Sequence, residues 1–209
     1  FLFIKLYPLM AKLLSPFNTK AALWVKGREG LLMRIKTTMQ SNNQPVIWMH
    51  AASLGEFEQG LPVVELLKKQ YPEHRLLVTF FSPSGFEIRK NHPLADWVFY
   101  LPMDSPSNAA EFIAYAKPSI ALFIKYEFWY FYLTELKKQA IPTLLVSGIF
   151  RKDQLFFKWY GRFYRKLLLN FTHFFVQDKG SADLIKDLVP TNHISISGDT
   201  RFDRVLTIA

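Results

Sequence analysis

Short runs rich in β-branched and aromatic residues recur along the chain, each followed by a polar turn and then by a stretch whose apolar residues return at helical spacing. They are Val46–His50, Leu76–Phe81, Trp97–Leu101, Ile120–Ile124, Thr143–Val146, His173–Val176 and His193–Ile196. Several are apolar throughout, as in Ala121-Leu122-Phe123-Ile124, and so read as strands buried on both faces. Strands of that kind separated by helices imply right-handed βαβ units and an α/β, Rossmann-like, doubly wound parallel sheet. Ligands of such sheets bind beyond the carboxyl ends of the strands. The segments to watch are therefore Ala51–Glu56, Ser82–Gly85, Pro102–Asp104, Lys125–Trp129, Ser147–Arg151, Gln177–Lys179 and Gly198–Asp203.

A chain of 209 residues that is 50% hydrophobic can bury one large core, with room for an appended segment. It contains no cysteine, which excludes a disulfide framework, thiolate metal sites and a cysteine nucleophile. The five histidines, His50, His74, His92, His173 and His193, show no metal-ligand spacing, so no metal is expected. No Walker loop, G-x-G-x-x-G or G-x-S-x-G is present. A formal charge of +9 favours anionic partners, and 20 Phe in a 16% aromatic composition suggest an apolar one as well. An anionic membrane surface satisfies both.

The opening FLFIKLYPLMAKLLSPF is apolar but broken by Lys5, Pro8 and Lys12, short of the ~20 apolar residues a spanning helix needs. It reads as an interfacial segment on a cytoplasmic face, with Lys20, Lys26, Arg28, Arg34 and Lys36 just downstream. An ordinary N-terminal core helix is the competing reading. The expected division is a membrane-associating segment and linker over 1–44, a Rossmann-like domain over 45–197, and the start of a connection to a further domain over 198–209.

After the first run, Ser53-Leu54-Gly55-Glu56 opens a helix carrying Phe57, Leu61, Val64 and Leu67. S-x-x-E is a capping box, and spacing alone favours that reading. The same position lies over the ligand edge, where Glu56 could take a proton from an attacking hydroxyl. The helix dipole then predicts an ionised base. Gly55 would admit a ligand close to the backbone. Ser84, in Ser82-Pro83-Ser84-Gly85, offers a hydroxyl at a polar turn that is also explained as a cap. Glu127 is a second carboxylate near a helix start, and His50 reads as a supporting residue at the end of the first strand. Finally, LFFKWYGRFYRKLLL places Lys158, Arg162, Arg165 and Lys166 opposite Phe156, Tyr160, Phe163 and Leu167, predicting one basic amphipathic helix over 155–169.

The run Trp48-Met49-His50-Ala51-Ala52-Ser53-Leu54-Gly55-Glu56, with Thr79-Phe80-Phe81-Ser82-Pro83-Ser84-Gly85, resembles the opening motifs of the Kdo (3-deoxy-D-manno-octulosonic acid) transferases. The resemblance extends in order to Trp24-Val25-Lys26-Gly27-Arg28, Leu101-Pro102-Met103-Asp104, Glu127-Phe128-Trp129 and Gly198-Asp199-Thr200-Arg201-Phe202-Asp203. It implies the N-terminal, acceptor-binding half of a two-domain GT-B glycosyltransferase that moves Kdo with inversion from CMP-Kdo to a lipid A precursor. The setting it implies is the cytoplasmic face of the bacterial inner membrane. No cofactor beyond the CMP-Kdo donor is implied, and the donor would bind through a C-terminal domain.

On this resemblance Glu56 maps onto the family's catalytic glutamate, and Glu127 onto its acidic motif after the fourth strand, with Ser53, Gly55 and Ser84 placing the acceptor. Lys125 stands where many relatives have an acidic residue, and Tyr130 and Phe131 replace the usual proline and asparagine. Ser147-Gly148-Ile149-Phe150-Arg151 departs from the Asn-Ala-Arg pattern, leaving Arg151 as a displaced counterpart, and Arg201 stands where lysine is usual. Competing readings are a non-catalytic Rossmann-like protein that holds membranes or nucleic acid, and a glycosyltransferase for another anionic lipid. The absence of a recognisable nucleic-acid module weighs against nucleic acid.

Overall fold

The computed structural model describes residues 2–200, with side chains from Leu6 onward. Arg201, Phe202 and Asp203 of the last motif lie outside the described residues.

Each expected run is a strand: β1 Val46–Ala51, β2 Arg75–Phe80, β3 Trp97–Tyr100, β4 Pro118–Ile124, β5 Thr143–Gly148, β6 His173–Val176 and β7 Ile194–Ile196. They form one 7-stranded sheet in the order β3-β2-β1-β4-β5-β6-β7, with every pairing parallel. The chain winds outward from β1 to one edge, then crosses back through β4 to the other. β1 and β4 are therefore neighbours although about seventy residues separate them, with His50 in register with Phe123. β1 is buried along its whole length, which explains why its sequence does not alternate.

Helices α4 Leu54–Gln70 and α5 Pro83–Arg89 follow β1 and β2, while α6 Pro106–Ala116, α7 Tyr130–Lys138, α8 Arg162–Leu168 and α9 Lys179–Ile185 fill the remaining connections. Two apolar clusters, one on each side of the sheet, make the core. Ile47, Met49, Phe57, Leu61 and Val64 pack beneath α4. Trp48, Phe112, Phe123, Tyr132 and Leu136 pack beneath α6 and α7. α4 runs unbroken through Pro62.

The stretch 1–44 contains α1 Leu2–Leu14, α2 Thr19–Arg28 and α3 Leu31–Met39. α3 gives Leu31, Ile35 and Met39 to the same core as Trp48, and Trp24 of α2 is buried too. Arg28 fastens α2 to the sheet. Its guanidinium lies 4.0 Å from the Trp24 ring and 4.8 Å from Tyr100. It donates to the carbonyls of Phe81 at 2.9 Å and Leu101 at 3.2 Å, just beyond β2 and β3. Burial pulls its pKa down to about 9.

α1 turns the usual amphipathic arrangement outward. Its Ala11 is buried and Tyr7 packs on Trp24 and Phe81, yet Leu6, Leu9, Met10, Leu13 and Leu14 are exposed at i, i+3, i+4, i+7 and i+8. Phe17, at i+11, is 89% exposed. No helix among the described residues is long and apolar enough to cross a membrane.

The single basic helix expected over 155–169 does not form. Leu155–Phe157 is a 3₁₀ turn and α8 starts only at Arg162. Gly161 permits the break: a Cβ there would fall 2.0 Å from the Leu155 carbonyl oxygen, so the chain doubles back against itself. Arg165 then donates to the carbonyls of Phe156 and Lys158, each at 3.0 Å. Burial of Phe156 in the core drives the turn, and it leaves Trp159, Tyr160 and Phe163 exposed rather than on a packed face.

Candidate functional site

The carboxyl ends of β1, β2 and β4 bring most of the singled-out residues to one edge. Ser53, extended at φ −137°, is the N-cap of α4, and its backbone N–H donates to Glu56 Oε2 at 3.1 Å. The capping box is present, and it holds the Glu56 carboxylate at the first turn of the helix, half-buried above the end of β1. Gly55 is exposed and faces open space: nothing lies within 4 Å of where its Cβ would be.

α5 approaches from the β2 side. A Cβ on Gly85 would meet Phe80 at 2.3 Å and the Leu54 backbone nitrogen at 3.1 Å, so only glycine lets the start of α5 lie against the start of α4. Ser84 is exposed one position earlier, its Oγ 3.0 Å from Ser82 Oγ, while Ser82 Oγ accepts the Ser84 N–H at 3.3 Å.

From β4, Lys125 adopts a left-handed φ of 68°, which costs a residue with a side chain about 1 kcal/mol. Such strain is tolerated where the surrounding structure demands it. The bend carries Glu127 back over the end of β1, onto His50. Glu127 Oε2 lies 3.1 Å from His50 Nε2 and accepts from Trp129 Nε1 at 2.6 Å. His50 is fully buried, and its Nδ1 lies 2.9 Å from Thr79 Oγ1, which accepts the Trp48 indole N–H at 2.8 Å. These bonds span β1, β2 and the loop after β4.

Electrostatics at this edge departs from the expectation drawn from the helix dipole. The Glu56 carboxyl is pushed up to about 7 by burial first and by the Glu127 charge second. Hydrogen bonds from the Ala52 and Ser53 backbone and the nearby Lys125 oppose the shift without cancelling it. A carboxyl in this setting is a base of near-neutral strength rather than a fully ionised, weak one.

Asp104, in the loop after β3, plays a different part. It is buried, and its Oδ1 accepts the backbone N–H groups of Phe131 at 3.0 Å and Tyr132 at 3.2 Å, closing the start of α7. Burial raises its pKa to about 6. Arg151 is exposed in the loop after β5, beside a cavity of about 510 Å³ lined by Tyr126, Phe128, Gln154 and Tyr164. It is not among the residues bonded around Glu56 and Glu127.

Two features had no separate signal in the sequence. The bonds joining His50 to Thr79 and Glu127 depend on strand order, which spacing does not disclose. Gln59, one turn along α4 from Glu56, is buried; its side-chain amide N–H donates to Asp199 Oδ1 at 3.1 Å, and its backbone carbonyl accepts from Thr200 Oγ1 at 2.6 Å. The Gly198-Asp199-Thr200 motif thereby folds back onto the helix that carries Glu56.

Comparison with known proteins shows the family of the chain. The family model described as "3-Deoxy-D-manno-octulosonic-acid transferase (kdotransferase)" matches residues 29–204. The 3-deoxy-D-manno-octulosonic acid transferase of Rickettsia bellii is 30% identical over 79% of this chain and 38% of its own length. That of Aquifex aeolicus is 34% identical over 51% of this chain and 29% of its own. The chain thus spans less than half the length of these relatives. Among solved structures, the UDP-GlcNAc 2-epimerase of Neisseria meningitidis superposes with a TM-score of 0.59 at 16% identity, over 78% of this chain and 49% of that one, a likeness of fold alone. The extent of the family match, with the motifs gathered at one sheet edge, identifies this chain as a member of the 3-deoxy-D-manno-octulosonic acid transferase family, which are glycosyltransferases.

Proposed function

We propose that this chain is the acceptor-binding half of an inverting glycosyltransferase that moves Kdo from CMP-Kdo to a lipid A precursor at the cytoplasmic face of the bacterial inner membrane. The observation that carries the reading is the Glu56 carboxylate, held by the capping box over the carboxyl edge and raised to about 7 beside Glu127. Glu56 takes the proton of the attacking acceptor hydroxyl. The oxygen then bonds to the anomeric carbon of Kdo as the bond from that carbon to the CMP phosphate breaks, and CMP leaves with the electron pair. The Glu127 carboxylate accepts a hydrogen bond from an acceptor hydroxyl, and Ser53, Gly55 and Ser84 border the path along which the acceptor lies, with Arg151 further along the carboxyl edge, beside the cavity after β5. CMP-Kdo is the donor substrate, no further cofactor is invoked, and nucleic acid has no part.

A lipid A precursor is anionic and amphiphilic, and two features suit it. The exposed apolar stripe of α1 fits the boundary between headgroups and acyl chains. Beside it lies a groove of about 500 Å³ between α1, α2 and the Pro102–Met103 loop, with Lys12 and Arg28 on its walls.

The test is transfer of radiolabelled Kdo from CMP-Kdo to a lipid A precursor by the full-length protein, with the 209-residue chain alone as a second arm. Transfer by the full-length protein and none by the chain alone are expected. Turnover by the chain alone would contradict the division of labour, and transfer only to a different anionic lipid would reassign the acceptor.

A further inference from the structure

The hydrogen bonds behind Glu127 can be assigned a direction. An indole N–H only donates, so Trp48 Nε1 gives its proton to Thr79 Oγ1, and Trp129 Nε1 gives its proton to Glu127 Oε2. An ionised carboxylate only accepts, so the proton between His50 and Glu127 sits on Nε2. With that single ring proton on Nε2, Nδ1 is an acceptor, and the Thr79 hydroxyl, which accepts from Trp48, is placed to donate to it. Every donor meets one acceptor, from Trp48 through Thr79 and His50 to Glu127. His50 and Thr79 are both fully buried, so water does not compete for these bonds.

The consequence falls on the two oxygens of Glu127. Oε2 takes both donors, whereas Oε1 accepts no hydrogen bond among the described residues. The side chain is 11% exposed, which leaves a small opening to that carboxylate. We propose that His50 is a positioning residue. Its Nε2–H, aimed by Thr79, fixes the Glu127 carboxylate so that Oε1 alone is left to receive an acceptor hydroxyl beside Glu56. The inference deepens the proposed function and rests on it: Glu127 touches the substrate, and His50 acts only through Glu127.

An effect exerted only through Glu127 must vanish when Glu127 cannot serve. Turnover is therefore measured for the full-length protein with His50→Leu, His50→Gln, Glu127→Gln and the double variant His50→Leu/Glu127→Gln. His50→Leu is expected to lower kcat on the order of 10- to 100-fold, as misplacement of a reacting or substrate-holding group does. His50→Gln, whose amide can still donate to Oε2, should recover most of that loss. Adding His50→Leu to Glu127→Gln should cost less than about 2-fold more. A His50→Leu effect of full size in the Glu127→Gln background overturns the proposal, as does unchanged turnover in His50→Leu.

A readout independent of the reaction is the ¹⁵N spectrum of the His50 ring in the wild-type protein. The Nε2–H tautomer is expected, and an Nδ1–H tautomer refutes the assignment even where His50→Leu does not fold. Absence of Kdo transfer by the wild-type protein, with the Nε2–H tautomer in place, would instead count against the proposed function.

Discussion

Ser53 donates its backbone N–H to Glu56 Oε2 at 3.1 Å, so the carboxylate that closes the start of α4 is also the one poised over the carboxyl edge of the sheet. The cap and the proposed base are the same group. The capping bond limits the motion of Glu56, and burial leaves its proton affinity high. The two readings of the S-x-x-E spacing are therefore compatible.

The raised value for Glu56 gives opposite pH trends for stability and for turnover. The folded state, at about 7, holds the proton more tightly than an unfolded chain at its ordinary 4.5. Stability therefore falls as pH rises between those values. Turnover rises through the same window, because the base must be ionised to accept a proton. Denaturant midpoints and kcat measured from about pH 5 to about pH 8 check both limbs, and a Glu56→Gln variant should lose part of the stability slope.

Glu127 sets part of that value, because its charge disfavours ionisation of Glu56. Glu127→Gln removes the charge, so the acid limb of the remaining activity should move to lower pH. A pH–rate profile of the variant measures it, and an unmoved limb would show that burial alone sets the proton affinity of Glu56.

Asp104 should matter to stability more than to chemistry. Asp104→Ala leaves the Phe131 and Tyr132 N–H groups without their carboxylate acceptor at the start of α7. A loss of about 1–3 kcal/mol in unfolding free energy is expected, with the KM for CMP-Kdo unchanged. Urea denaturation and steady-state kinetics distinguish the two effects.

The α1 stripe predicts membrane binding separable from folding. Leu9 and Leu13 are 54% and 67% exposed, so Leu9→Glu/Leu13→Glu removes apolar contact with lipid and adds like charge against an anionic surface. Partition onto anionic vesicles should weaken by about tenfold or more, with no change in melting temperature. Flotation with the full-length protein, compared on anionic and zwitterionic vesicles, tests it.

Much of the fold was legible because buried parallel strands announce themselves: Ala121-Leu122-Phe123-Ile124 has no polar face to assign, so the sequence alone demands helices on both sides. Glu56 and Ser53 were legible because a capping box is local. His50 at a strand end and Glu127 near a helix start, 77 residues apart, were separately visible, but their bond exists only because β1 and β4 are neighbours, and hydropathy does not encode strand order. The helix expected over 155–169 failed for a related reason. Its spacing was helical, but burial of Phe156 and the tight approach at Gly161 are tertiary effects that override local periodicity. The dipole argument for Glu56 failed because it weighed the helix start alone, without burial and without Glu127.

The most direct test of the central claim is kcat for Kdo transfer by the full-length protein with Glu56→Gln, alongside its melting temperature. A general base predicts a fall of at least about 10²-fold with a stability change near or below about 1 kcal/mol, the scale of a weakened cap. Turnover retained within a few-fold, together with a lowered melting temperature, would contradict the account and leave Glu56 as the closing residue of α4.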